Sequence, residues 1–142
     1  MSERLSKPKI SLVTVCKNSE KTIERTIKSI IDQNYENLEY IIIDGGSTDK
    51  TLDIINTYKN YISKLITEKD EGIYDAFNKG LNNYTGDVIG FVNSDDYLLD
   101  NALNTISSYY QNYPKVDFFF GSVKKHWGIL HGYKPWKIYF SW

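Results

Sequence analysis

Short apolar runs rich in β-branched residues alternate along this chain with segments of helical period. Few architectures accommodate that order. KISLVTVC (residues 9–16) and LEYIIIDGG (38–46) read as buried strands, the second ending in a glycine turn. SKLITEK (63–69) is a weaker third strand, GDVIGFVN (86–93) a fourth and VDFFFGSV (116–123) a fifth. Between the first two strands, Ile23, Ile27, Ile30 and Ile31 fall on one helical stripe with charges opposite, and Ser19 is the expected N-cap. The segment 47–62 predicts a second helix, capped by Ser47 or Thr48, with Asp49 suited to its first turn. The segment 72–83 predicts a short helix with Tyr74, Phe77 and Leu81 on one side, against which Gly80 counts. The segment 100–114 predicts a fourth, with Asp100 as cap, Ala102, Leu103, Ile106 and Tyr110 inward and Pro114 past its end. Residues 124–142 show no clear period. Strands alternating with helices imply an α/β sandwich whose central sheet is mainly parallel and flanked by helices.

Composition narrows the function classes. A length of 142 residues fits one domain, and a net charge of −1 supplies no field to recruit nucleic acid or an anionic membrane. The single Cys16 excludes an internal disulfide and fits a reducing compartment. The stretch MSERLSKPKISL has no apolar run of signal-peptide length, and no run approaches the roughly 20 apolar residues of a membrane span. A cytoplasmic location is expected.

In parallel sheets, ligands sit outside the carboxyl ends of the strands. Four polar clusters fall there: KNSE (17–20), DGGSTD (44–49), KDEG (69–72) and NSDD (93–96). In DGGSTD, Gly45 and Gly46 allow close approach of backbone to a ligand, and Asp44 can accept hydrogen bonds from a base or ribose. A tight turn with an N-cap explains the same residues. Beyond KDEG, Asp75 and Asn78 lie one turn apart with Lys79 beside them. Lys79 suits a phosphate and Asp75 a sugar hydroxyl, while a solvated helix start, its acids favoured by the dipole, is the alternative. In NSDD, Asp95 and Asp96 are adjacent like charges. Carboxylates are hard ligands for Mg²⁺ or Mn²⁺, which keep waters and share a substrate's phosphates. Asp100 and Asn101 already offer capping groups, so a ligand role for the two acids is favoured over a cap. Cys16 reads as a small packed residue, and His126 and His131 as surface or packing residues. No zinc spacing, Ser-His-Asp signature or P-loop is present.

Three segments in order, SLVTVCKNSE through DGGSTDKT, DEGIYDAFNKG and TGDVIGFVNSDDYL, resemble the GT-A nucleotide-sugar glycosyltransferases of family 2, in particular the bacterial branch of polysaccharide and O-antigen assembly. The resemblance covers residues 9–125. It implies a Rossmann-like GT-A domain over residues 1–142 that moves a sugar from a nucleotide-diphosphate donor, expected to be a UDP-sugar, to a saccharide or lipid-linked acceptor. It implies a Mn²⁺ or Mg²⁺ ion, with Asp96 as metal ligand and Asp95 at the ribose or in the metal shell. Val15, Lys17 and Asn18 would lie beside the base, Asp44 would approach the nucleoside, and Asp75, Asn78 and Lys79 would line the donor pocket. Many relatives carry at position 45 a second acid that reads the base, and here that residue is Gly45.

Such enzymes continue well past this length, so the chain is expected to be the N-terminal, donor-binding part of a longer one, with the acceptor site and general base beyond it. No general base is assigned. The alternatives are a module that binds donor without turnover and a sugar-1-phosphate nucleotidyltransferase. The latter would open with a glycine-rich basic loop that CKNSEKT does not supply. The aromatic tail YKPWKIYFSW suits a subunit contact, hence a homo-oligomer, or a membrane interface, hence a peripheral position at the inner face.

Overall fold

A computed structural model describes residues 6–120. The elements are β1 (Ile10–Cys16), α1 (Ile23–Ile31), β2 (Leu38–Asp44), α2 (Thr51–Thr57), β3 (Lys64–Thr67), α3 (Ile73–Leu81), β4 (Val88–Phe91) and α4 (Ala102–Asn112). The four strands form one parallel sheet in the order β3-β2-β1-β4. The expected α/β fold with helices on both faces is the one observed. The register runs from Ile10 opposite Leu38 to Cys16 opposite Asp44, so β1 and β2 end level with each other.

Every residue of β1 is buried, as expected of a central strand covered on both sides. Alternation divides its side chains. Ile10, Leu12 and Cys16 face a cluster with Ile23, Ile27 and Ile30 of α1, Ile55 of α2 and Leu103 of α4. Val13 and Val15 face the other side, with Ile41, Ile43 and Ala76 of α3. The three α1 isoleucines are fully buried, and each contributes about 1.5–3 kcal/mol relative to an exposed one. That burial, rather than propensity, holds a helix with four β-branched isoleucines in place. Gly80, a weak point for a helix in the sequence, is where α3 meets the sheet. A Cβ there would lie 2.6 Å from Val13 Cγ1, so the glycine permits the close contact.

Polar residues inside the sheet are partnered. The Tyr40 hydroxyl donates to Thr14 Oγ1 at 3.1 Å, and the Ser11 hydroxyl to Glu39 Oε2 at 2.5 Å. No buried side-chain nitrogen or oxygen among the described residues lacks a partner.

Several expected boundaries move, two through local hydrogen bonds and one through a tertiary contact. The first helix begins at Ile23, because the Ser19 carbonyl takes the amides of Thr22 and Ile23 in a preceding turn. The second begins at Thr51 rather than after Ser47 or Thr48, with Asp49 Oδ1 accepting the Thr51 amide at 3.0 Å. It ends at Thr57, and Lys59–Tyr61 follows as a short 3-10 turn. The fourth helix is not capped by Asp100. Its N-cap is Asn101 in the left-handed region (φ 64°), and the Leu103 amide donates to Gln33 Oε1 of the distant α1 segment at 3.2 Å. A buried amide there needs a partner, and the tertiary one displaces the local one. The expected fifth strand does not form over residues 116–120, and its remainder, like His126, His131 and the aromatic tail, lies outside the described residues.

Candidate functional site at the strand tips

Leaving β1, the chain adds β2 and β3 on one side and then returns to place β4 on the other. At such a reversal of strand order a parallel sheet receives its ligand, outside the carboxyl ends of the strands. The four polar clusters of the sequence sit along this edge.

The loops after β1 and β2 are tied together. The Asn18 amide donates to Ser47 Oγ and the Thr48 amide to Asn18 Oδ1, both at 2.8 Å. The Ser19 amide donates to Thr51 Oγ1 at 2.7 Å, and the Glu20 amide to Asp49 Oδ2 at 3.1 Å. Asn18 has φ 49°, a conformation asparagine tolerates well. Its side-chain oxygen is occupied in holding the second loop. Val15 is buried in the apolar cluster below.

Asp44 is 0% exposed. Its carboxylate accepts the amides of Gly46 at 3.2 Å and Ser47 at 3.1 Å, and the Ser47 hydroxyl at 2.5 Å. It organises the turn from inside. Cys16 lies beside it, Sγ to Oδ1 3.7 Å, and burial followed by the Asp44 charge pushes the thiol well above its usual range, which fits packing rather than nucleophilic work.

Above the turn lies a contact that periodicity does not reveal. A Cβ on Gly45 would lie 2.2 Å from Asp70 Oδ2. The Asp70 carboxylate thus fills the space that a side chain at 45 would take. Its side chain is 9% exposed, with Lys17 Nζ 4.0 Å away and the Gly72 amide donating at 3.3 Å. On α3, Lys79 stands between Asp75 at 3.0 Å and Glu68 at 3.2 Å and also donates to the Lys69 carbonyl. The hydrogen bond from Lys79, then that from the Glu71 amide, holds the Asp75 carboxyl below its usual range. The hydrogen bond to Asp75 raises the Lys79 ammonium against its partial desolvation. Asn78 is exposed one turn from Asp75.

Asp95 and Asp96 are exposed in the loop after β4. Their backbone is held from behind by α1. Arg25 Nη2 donates to the Asp95 carbonyl at 2.8 Å, with the guanidinium 4.7 Å from the Tyr97 ring centroid. The Thr26 hydroxyl lies 3.0 Å from the Ser94 carbonyl oxygen and 2.6 Å from that of Asp96. The Leu98 amide donates to Ser29 Oγ at 3.0 Å, and Gln33 Nε2 to the Leu99 carbonyl at 3.0 Å. Ser19 Oγ and Ser94 Oγ, 2.8 Å apart, join the loops after β1 and β4. A close reading of α1 and the turn after it would find Thr26, Ser29 and Gln33 at i, i+3 and i+7 as a polar stripe beside the isoleucines, but nothing local tells which loop that stripe holds.

Among the described residues no three His, Cys, Asp or Glu side chains gather as a self-sufficient metal cage. Two adjacent exposed carboxylates instead fit a hard divalent ion that keeps waters and shares phosphate oxygens.

The family model for "Glycosyl transferase family 2" matches residues 11–141. An uncharacterized glycosyltransferase of Haemophilus influenzae is 37% identical over 105 residues, which cover 70% of this chain and 41% of that protein. A PGL/p-HBAD biosynthesis glycosyltransferase of Mycobacterium bovis is 31% identical over 123 residues, covering 84% and 48%. The chain spans less than half the length of these two relatives. Among solved structures, Staphylococcus aureus TarS 1–349 with UDP-GlcNAc superposes with a TM-score of 0.70 at 27% identity, covering 75% of this chain and 32% of that one. A mannosyltransferase of Pyrobaculum calidifontis in complex with GDP-Man and Mn²⁺ shares the fold, with a TM-score of 0.64 at 22% identity over 76% of this chain and 33% of that one. Sequence and fold agree: the chain belongs to glycosyl transferase family 2.

Proposed function

We propose that this chain is the donor-binding part of a glycosyltransferase that uses a nucleotide-diphosphate sugar and a divalent cation. The carrying observation is the exposed Asp95–Asp96 pair, set by its own backbone hydrogen bonds at the strand tips where the strand order reverses. The UDP-GlcNAc bound by TarS, at 27% identity, supports a UDP-sugar as donor. Asp96, with Asp95 beside it, would hold Mn²⁺ or Mg²⁺ together with the donor diphosphate. When bound, that ion supplies the counter-charge for the departing nucleoside diphosphate. Lys17 stands at the tip of β1, where a base would be received, with the Asp70 carboxylate of the loop after β3 4.0 Å away, and the turn that Asp44 organises, roofed at Gly45 by Asp70, would face the nucleoside. Asp75, Asn78 and Lys79 form the far wall on α3. A saccharide or lipid-linked acceptor, a cytoplasmic setting with peripheral membrane contact and a homo-oligomer remain parts of this proposal. Among the described residues no helix is long and apolar enough to cross a membrane.

Calorimetry of UDP with Mn²⁺ tests the site. Asp96→Ala is expected to lose metal-dependent UDP binding while its thermal melt stays within a few degrees of the parent, since the side chain is exposed. Normal UDP and Mn²⁺ binding by the variant would overturn the metal assignment.

A second reading is donor binding without turnover. It is favoured by the ion pairs of three acids near the strand tips, Glu68 and Asp75 with Lys79 and Asp70 against Lys17, which leave none of these three an unpaired base. UDP-sugar hydrolysis and transfer assays with Mn²⁺ separate the two: binding with no turnover supports the module.

A further inference from the structure

The two acids proposed to hold the ion are exposed and make few side-chain contacts, yet the backbone beneath them is fastened on one side. Three consecutive carbonyls, those of Ser94, Asp95 and Asp96, are all taken by two adjacent residues of α1. Thr26 is fully buried, and its hydroxyl lies within hydrogen-bond distance of the carbonyls on either side of Asp95. One proton serves two acceptors, so the hydroxyl pins the peptide units Ser94–Asp95 and Asp96–Tyr97, which bracket the two acids, rather than a single one. Arg25 holds the carbonyl between them from the surface. The carbonyls therefore turn towards α1, and Asp95 and Asp96 are left exposed. The Asp96 amide donates to the Asn93 carbonyl at 3.0 Å and closes the turn, across which Asn93 Nδ2 also reaches Asp96 Oδ2 at 3.4 Å.

We propose that Thr26, seconded by Arg25, is the positioning residue of the cation site: its hydroxyl sets the direction of the Asp95–Asp96 carboxylates before donor and ion arrive. This rests on the metal reading above. A loop ordered in advance binds an ion without first giving up its own freedom, so loosening it costs affinity even though no ligand is removed. Thr26 touches neither ion nor donor, and nothing local in TIERTIKS marks it out from the other polar residues of the helix.

The test is Mn²⁺ binding in the presence of UDP, followed by the electron paramagnetic resonance of the ion, on the full chain. Thr26→Val keeps the shape and removes the hydroxyl, and Thr26→Ser keeps the hydroxyl. Valine is expected to weaken Mn²⁺ binding by about tenfold or more and to broaden the spectrum of the bound ion, with serine restoring most of both. A thermal melt identifies a valine variant that has lost its fold. In that case Arg25→Gln, at an exposed position, is expected to weaken binding in the same direction with an unchanged melt. Asp96→Asn is run alongside. If it loses Mn²⁺ while a folded Thr26→Val binds as the parent does, the positioning role is overturned and the metal reading stands. Equal weakening by serine and valine also overturns it, because packing rather than the hydroxyl would then matter. An unchanged Arg25→Gln, where valine does not fold, overturns it as well. If Asp96→Asn binds Mn²⁺ normally, the metal reading falls and the positioning role falls with it.

Discussion

Asp44 shows how a residue's type announces a site while its role comes from its partners. An acid at a strand tip followed by two glycines invites a ligand, yet this one is fully buried and accepts two amides and a hydroxyl of its own turn. Asp44→Asn would set an amide NH₂ against one set of these donors. Leaving buried groups unsatisfied costs about 1–3 kcal/mol, so a lower thermal midpoint is expected, with weaker UDP binding because the turn relaxes. A melt equal to the parent's would show that the carboxylate is not the organiser of the turn. Asp70 is the complementary case. It lies in a run of charges that reads as a solvated helix start, and it is one of the more enclosed carboxylates, seated over Gly45. The resemblance drew attention to the acid missing at position 45. The fold reveals that another carboxylate occupies the adjoining space.

At the scale of elements, α1 serves two masters. Its isoleucine stripe was legible from period alone, because burial on one face needs a repeat near 3.6 residues. Its polar stripe was not, since a hydrogen bond to a loop about seventy residues away leaves no local trace. Helix α3 carries the element-scale prediction. Gly80→Ala would gain up to ~1 kcal/mol of helix propensity, but the new methyl meets Val13 at 2.6 Å in a strand with no exposed residue. Overpacking of that kind costs about 1–3 kcal/mol, so net destabilisation is expected in urea unfolding. A stabilised variant would mean that α3 lifts from the sheet at no cost. The same comparison explains why a glycine that counts against a helix in the sequence sits comfortably inside one.

At the scale of the whole molecule, the two ends of the sheet do different work. The carboxyl end gathers the candidate site, and the opposite end is latched around Glu39. This side chain, 12% exposed, pairs with Lys9 at 3.0 Å and accepts hydrogen bonds from Ser11 and Thr85. Burial alone would raise its pKa. The hydrogen bonds of Ser11, Thr85 and Lys9 outweigh it and hold the carboxyl at about 2 against an ordinary 4.5. With the folded value below the unfolded one, the latch contributes fully above pH 4.5 and is lost as the pH falls towards 2. Urea midpoints of the parent and Glu39→Gln should therefore differ most near neutrality and converge at the acid end. A constant gap across that range would show that the latch does not depend on the Glu39 charge.

The division between sequence and structure follows from the range of the forces involved. Strand and helix alternation, the burial of β1 and β2 on both faces, the placing of four polar clusters at strand tips and the prominence of Asp95–Asp96 were all readable from the chain. Each rests on local periodicity, or on the rule that a parallel sheet presents its carboxyl ends to ligands. Only the tertiary structure decided that Gln33 meets α4 in place of Asp100, that Asp70 roofs Gly45, that Lys79 is consumed by Asp75 and Glu68, and that Thr26 and Arg25 grip the acidic loop. These contacts depend on register and on the close approach of elements far apart in the chain. A side chain's type limits what it can bond to, but only its neighbours in space determine which bond is made.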